Sequence, residues 1–251
     1  YFIVVLIKNN VDMSKFVHSG EKKKTYVKDM FNDISKRYDL FNLLSSMGLD
    51  RYWRYRLVRK FNLKQSDKLL DIATGTGDVV LKFHKKFQSS CVGLDIADKM
   101  IEIANTKKEK LGLGYRDIRF IVGDAENLGF SNDTFDALTI SFGFRNLGNY
   151  DQGLSEFYRV LKPGGKIAIL EFSQTNHKWF SYLFQFYFNR IVPLIGAMLS
   201  RKDAFLYLPE SVDYFLDREA VCEKMRNVGF KDVRLQNYTF GVAVIYIGTK
   251  P

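Results

Sequence analysis

The residues best placed to do chemistry begin at Leu69-Leu-Asp71-Ile-Ala-Thr-Gly75-Thr76-Gly77-Asp78. An apolar run of strand length turns on two glycines and passes into a helical pattern through Val79, Val80 and Phe83. At Gly75 and Gly77 the missing side chains would let a ligand approach the backbone. This is the order of a strand, a glycine turn and a helix around a nucleotide-like ligand. It is not the dinucleotide fingerprint G-x-G-x-x-G, because Val80 stands where the third glycine should be. Asp71 and Asp78 bracket the turn, and two carboxylates repel a pyrophosphate but suit an ammonium and a sulfonium charge. S-adenosylmethionine carries both. Two glycines alone would better be read as a tight β–α connection, and the residues downstream decide against that.

Asp95 ends the next apolar run, about 20 residues beyond the turn, where an acid accepts from both hydroxyls of a ribose. A third run ends at Asp124-Ala125, an acid and a backbone N–H suited to the amino group and ring nitrogen of adenine. A fourth gives Ser141-Phe142-Gly143-Phe144-Arg145-Asn146, at the edge where open α/β sheets place ligands. Upstream, Tyr38 lies in an amphipathic helical stretch, and a helix covering a pocket needs a polar group facing in.

The elements that must position these residues follow from periodicity. Residues 25–61 read as helices. Strands are predicted at Lys68–Ile72, about Cys91–Asp95, Ile118–Val122, Phe135–Phe142 and Lys166–Phe172, with helices Asp78–Phe87, Asp98–Lys110 and Asp151–Leu161 between them. Helix Arg218–Val228 leads to Phe230–Phe240 and Val242–Thr249, a hairpin about Gly241. The fold class is α/β: a mostly parallel seven-stranded sheet, doubly wound, with an antiparallel C-terminal hairpin and helices on both faces.

The 251 residues, 46% hydrophobic and 26% charged, can bury one sizeable core. Cys91 and Cys222 lie far apart in apolar patterns, without a C-x-x-C or a histidine cluster. They predict buried free thiols in a reducing compartment, and no metal site. The net charge of +10 reads mainly as a solvated basic surface. No base-flipping motif and no basic stripe are present, so nucleic acid is not expected as a partner. No apolar run reaches the ~18 residues of a membrane span. Residues 1–24 are expected to be a leader, disordered or upstream of a true start at Met13. Residues 25–251 are expected to form one domain, with a helical lid (25–61) and an aromatic-rich insertion (174–210). That insertion, loaded with Trp179, Phe180, Tyr182 and Phe184, would be either core-completing helices or a greasy substrate tunnel and membrane-facing lid.

Together, Tyr38-Asp39-x-x-Asn42, Gly48-x-x-Arg51-x-Trp53-Arg54, Ser141-Phe-Gly-Phe-Arg145-Asn146 and Arg159-Val-Leu-Lys-Pro-Gly-Gly165 resemble the UbiE/MenG class of quinone C-methyltransferases. The resemblance runs from about Val27 to the C-terminus. It implies a Rossmann-like class I methyltransferase fold and S-adenosylmethionine as cofactor, contacted by Thr76, Asp95, Asp124, Ala125 and Ser141 beside the turn residues Asp71, Gly75 and Gly77. It implies that Arg145 and Asn146, with Tyr38, activate the substrate.

The implied reaction is methylation of a ring carbon of demethylmenaquinol in menaquinone biosynthesis. The alternative is the benzoquinol of the ubiquinone pathway, alone or as a second activity. Arg145 stays protonated, so it would stabilise a phenolate while a water held by Asn146 and Tyr38 removes the proton. A salt bridge to a nearby acid would instead make Arg145 structural. The polyprenyl tail of such a substrate implies a cytoplasmic protein in peripheral contact with the membrane through Trp179–Met198, and the family implies a homodimer. A different class of reading is a silent S-adenosylmethionine-binding scaffold.

Overall fold

The structure, a computed structural model, describes residues 19–113, 117–173 and 202–251, together with Tyr187 and Arg190. Most of the expected insertion at 174–210 lies outside the described residues.

Helix α1 (Gly20–Ser45) is one continuous helix of 26 residues. It begins at Gly20, so residues 20–24, expected as the end of a leader, are helical. Val27, Met30, Ile34 and Phe41 recur at helical spacing and are buried. Gly48, in the left-handed region at φ 78°, separates α1 from α2 (Leu49–Val58).

Strand β1 (Lys68–Ile72) is followed by α3 (Asp78–Phe87), β2 (Ser90–Asp95), α4 (Asp98–Lys110), β3 (Ile118–Val122), β4 (Phe135–Ser141), α5 (Tyr150–Val160) and β5 (Leu161–Phe172). After the insertion come α6 (Lys202–Asp213), α7 (Arg218–Val228), β6 (Lys231–Tyr238) and β7 (Ala243–Thr249). The sheet order is β3-β2-β1-β4-β5-β7-β6. β1 pairs in parallel with both β2 and β4, and β7 runs antiparallel to β5 and β6. The order reverses between β1 and β4, and the carboxyl ends of these strands form the crevice where such sheets bind ligands.

β5 starts at Leu161, not at Lys166, because Leu161 pairs with Phe135 before the register shifts and Lys166 pairs with Ala137. The Pro163-Gly164 step that ends helical pattern is thus absorbed into an irregular strand.

Alternation along β1 divides the core. Leu69 joins Val79, Val80 and Phe83 of α3 and Trp53 and Leu57 of α2, whereas Leu70 joins Leu154 and Phe157 of α5 and Met225 of α7. Both cysteines are free and buried. Among the described residues no helix is long and apolar enough to cross a membrane, and no cluster of metal-ligating side chains occurs.

Candidate active site

At the end of β1 the chain turns through Ala73 to Gly77. Asp71, 1% exposed, accepts from Thr74 Oγ1 at 2.7 Å and Thr139 Oγ1 at 2.6 Å. Burial pushes its carboxyl up to about 7. It braces the turn from inside the sheet. Thr76 is also committed: its hydroxyl donates to Asp39 Oδ1 at 2.6 Å and accepts from Lys107 Nζ at 2.8 Å. Lys107 further pairs with Asp39 at 2.7 Å and Asp78 at 2.8 Å, clamping α1 and α4 onto the turn.

The two glycines do different things. A Cβ on Gly75 (φ 56°) would meet only Tyr38 Cε1 at 3.6 Å, whereas one on Gly77 (φ 83°) would lie 2.5 Å from Phe120 Cζ. Gly75 leaves room beside a cavity. Gly77 lets α3 pack against the sheet, a steric role that the ligand reading of both glycines overlooked.

Two cavities meet above the strand ends. The smaller, about 70 Å³, is lined by Gly75, Asp95, Asp124, Ala125, Ser141 and Asn146 among others. Asp71, Thr76 and Gly77 line neither cavity. Asp95 Oδ2 accepts from Gly75 N at 2.8 Å and Oδ1 from Ala97 N at 2.9 Å, so the carboxylate is fixed while keeping free lone pairs. Burial raises its pKa, and the backbone donors at Ala97, Gly75 and Ile96 oppose that rise. Ser141 Oγ is buried without a hydrogen-bond partner, a cost borne unless a ligand supplies one.

Asp124 Oδ2 accepts from Lys24 Nζ at 2.9 Å, and Lys24 also reaches Glu126 Oε2 at 3.2 Å. Both Lys24 and Glu126 line this cavity and were missed. The run Lys22-Lys23-Lys24 looked like solvated charge, and only the helical spacing that turns Lys23 and Lys24 inward could have marked it. Three carboxylates against one lysine, an unpartnered hydroxyl and the open Gly75 suit a hydroxylated, cationic nucleoside such as S-adenosylmethionine.

The second cavity, about 270 Å³, is predominantly apolar, with Met30, Ile34, Phe41 and Trp53 in its wall. Its polar groups include Asn42, Asp50, Arg54 and Arg145. Phe31, Tyr38 and Phe142 line both cavities and form the partition between them. Burial raises the pKa of the Tyr38 phenol, keeping it a proton donor at ordinary pH. Phe142 holds φ 60°, a left-handed conformation costly for an aromatic residue, at the end of β4.

Arg145, 5% exposed, sits in a single 3-10 turn, Phe144–Asn146. Its Nη1 donates to Phe142 O at 2.6 Å and Glu171 Oε1 at 2.8 Å, and its Nε to Ser211 Oγ at 3.1 Å. Nη2 takes no part in these bonds. Asn146 Oδ1 accepts from Tyr207 Oη at 3.1 Å. The structure thus brings Tyr38 together with both cavities, Arg145 with the apolar one and Asn146 with the polar one. Phe144 lines neither cavity and packs on Tyr150 at 5.2 Å between ring centres.

The model of the ubiE/COQ5 methyltransferase family matches residues 19–250. The chain belongs to the ubiE/COQ5 methyltransferase family. Among similar proteins, the ubiquinone/menaquinone biosynthesis C-methyltransferase UbiE of Geotalea daltonii is 40% identical over 95% of this chain and 100% of its own. The demethylmenaquinone methyltransferase of Thermus thermophilus is 43% identical over 88% of this chain and 100% of its own. In fold, the methyltransferase resembles a structure of the [4+2]-cyclase SpnF, with TM-score 0.69, 16% identity, and 94% and 98% of the two chains covered. It also resembles a SAM-dependent methyltransferase from Aquifex aeolicus, with TM-score 0.58, 18% identity, and 79% and 89% covered. This methyltransferase takes its methyl group from S-adenosylmethionine, and its fold is the one the resemblance implied.

Proposed function

We propose that the methyltransferase acts on a ring carbon of demethylmenaquinol, giving menaquinol. The observation that carries this reading is the shared wall: a carboxylate-lined cavity and an apolar one have Phe31, Tyr38 and Phe142 in common. A flat, apolar hydroxyaromatic ring fits the second chamber, with its reacting carbon toward the first. The family's quinone-methylating members support the same choice.

We assign Gly75, Asp95, Asp124, Ala125 and Ser141 to holding the donor, with Lys24 and Glu126 beside them. Asp71, Thr76 and Gly77 keep the turn in shape. The donor, when bound, supplies a methyl group on a cationic sulfur. Carbon methylation requires an electron-rich carbon, and loss of a hydroxyl proton from the ring provides one. Arg145, through Nη2, stabilises the developing phenolate, and Tyr38 hydrogen-bonds the same edge of the ring. The apolar walls exclude water and hold the carbon in line. Asn146 fixes the turn that carries Arg145 from the donor side.

A cavity of about 270 Å³ takes a naphthoquinol ring but not a long polyprenyl tail. The tail therefore extends into a lipid layer. We propose peripheral contact with the cytoplasmic face of the membrane through Trp179–Met198, under a lid formed by 25–61, and a homodimer in solution. Failure to sediment with anionic liposomes would remove the membrane contact, and a monomeric sedimentation velocity profile would remove the dimer.

The test of the activity is methyl transfer from labelled S-adenosylmethionine to chemically reduced demethylmenaquinol and, separately, to the demethylated benzoquinol precursor of ubiquinone. Transfer to the naphthoquinol is expected. Transfer only to the benzoquinol would overturn the assignment, and transfer to neither with donor binding intact would favour a scaffold.

A further inference from the structure

Methylating a ring carbon replaces an aromatic C–H by C–C and releases one proton, so the site needs a base. Arg54 and Arg145 stay protonated, and burial holds Tyr38 protonated. The serine, threonine and asparagine side chains facing the apolar cavity are too weakly basic. Among the described residues that line this cavity, Asp50 is the only carboxylate, and none is a histidine.

We propose that Asp50 takes the hydroxyl proton of the aromatic acceptor, which makes it a catalytic residue. This rests on the proposed function above, and replaces the water held by Asn146 and Tyr38 as the proton's destination.

The carboxylate is 7% exposed and held from both sides. Oδ2 accepts from Arg54 Nη1 at 2.7 Å and Oδ1 from Ser46 Oγ at 2.9 Å. A carboxylate has about four acceptor sites, so two bonds fix its orientation and leave lone pairs for a substrate hydroxyl. Asp50 lies in the first turn of α2, at the end of the helix where the dipole favours negative charge. The Arg54 guanidinium sits 5.8 Å from the centre of the Phe142 ring, part of the partition with the donor cavity. The base thus stands next to the wall through which transfer must occur.

A carboxylate is a weaker base than a phenolate. The two guanidiniums in this cavity offset the difference by stabilising the phenolate as the proton leaves. The O–H bond breaks, its proton goes to Asp50, and its electron pair conjugates into the ring. The ring carbon forms the new C–C bond while the C–S bond breaks, leaving its pair on sulfur. The methylated ring then tautomerises, its C–H proton replaced by one on the oxygen, and Asp50 passes the proton it took to solvent, so the ring is aromatic again with one proton released overall.

The test compares wild type, Asp50→Asn and Asp50→Glu in pH–rate profiles at saturating substrates, with donor affinity measured by calorimetry. Asp50→Asn is expected to cut turnover about 100-fold or more at neutral pH while donor affinity stays within about twofold. Its rate should then climb about tenfold per pH unit, because only substrate already ionised in solution reacts. Asp50→Glu should restore much of the rate. Should the lone asparagine disturb folding by stranding Arg54, the double variant Asp50→Asn/Arg54→Gln carries the same slope test. A profile parallel to wild type, or near-normal turnover, would overturn the proposal. If wild type ignores both quinols but methylates another hydroxyaromatic ring, the substrate reading fails and the slope test applies to that ring. An acceptor without an ionisable hydroxyl would overturn the role of Asp50.

Discussion

Lys23 Nζ donates to the main-chain oxygen of Arg145 at 2.8 Å, and to that of Leu147 at 2.9 Å, so the first turn of α1 holds the turn that carries Arg145. The ammonium is 3% exposed, 5.3 Å from the centre of the Tyr150 ring. Burial, then the nearby Arg145 charge, lowers its pKa from 10.5 to about 8. The folded chain therefore releases this proton before the unfolded chain does. Between about pH 8 and 10.5 the unfolded state holds more protons, and stability contributed by this group rises with pH. Denaturant melts across that range should show wild type gaining on Lys23→Met as pH increases. A constant or shrinking difference would contradict the buried charge.

Gly75 and Gly77 should separate binding from folding. At Gly77 an added Cβ meets Phe120 at 2.5 Å in a left-handed backbone, so Gly77→Ala should lose roughly 2–4 kcal/mol of stability from overpacking and strain together. At Gly75 the new methyl meets nothing closer than 3.6 Å and points beside the donor cavity. Gly75→Ala should lose only the roughly 1–2 kcal/mol of backbone strain but weaken donor binding tenfold or more. Thermal melts paired with calorimetric titration of S-adenosylmethionine distinguish the two, and equal effects on both would refute the division.

The order of elements was legible because periodicity and turn chemistry are local. α3, α4, β3 and α7 have the bounds expected from the sequence, and the Asp95 position follows from one βαβ spacing. What could not be read depended on distant pairing. Lys24 meets Asp124 across 100 residues, so its role is invisible until α1 is placed over the sheet. Gly77 could not be told from Gly75 without the position of Phe120 on β3. Asp71 and Thr76 are of types that suit a ligand, and only the structure shows that Asp71 also accepts from Thr139 and Thr76 from Lys107. Asp50 sat beside a conspicuous Arg-Tyr-Trp-Arg stretch and drew no notice, since nothing in the sequence marks which cavity a helix faces.

Ser141 offers a prediction of opposite signs. Its buried hydroxyl has no protein partner, so Ser141→Ala should leave the donor-free protein unchanged or up to about 1 kcal/mol more stable. The same change should weaken S-adenosylmethionine binding about fivefold to thirtyfold through the lost hydrogen bond. Chemical melts with and without donor test both halves. A variant destabilised without donor would show that the hydroxyl is already satisfied.

Arg145 has two roles that one substitution confounds and a pair can resolve. Glu171 is fully buried and accepts from Arg145 Nη1 at 2.8 Å, from Arg145 N at 3.1 Å and from Phe172 N at 2.9 Å. Removing the guanidinium strands that carboxylate, so Arg145→Met should lose about 3–5 kcal/mol. Adding Glu171→Gln removes the stranded charge and keeps one of the two backbone bonds through its single oxygen, so much of the stability should return. Turnover should not return: with Arg54 the one guanidinium left among the described residues of the cavity, the phenolate loses the stabilisation Arg145 gives it, and the double variant should stay 100-fold or more below wild type with donor affinity nearly unchanged. Arg145→Lys adds a third point, because a lysine keeps the charge but loses the planar fork that serves Glu171 and the cavity together. It should fold and bind donor, yet turn over at least tenfold more slowly. A double variant with normal turnover would make the Arg145–Glu171 pair purely structural, and the cationic role would then fall to Arg54.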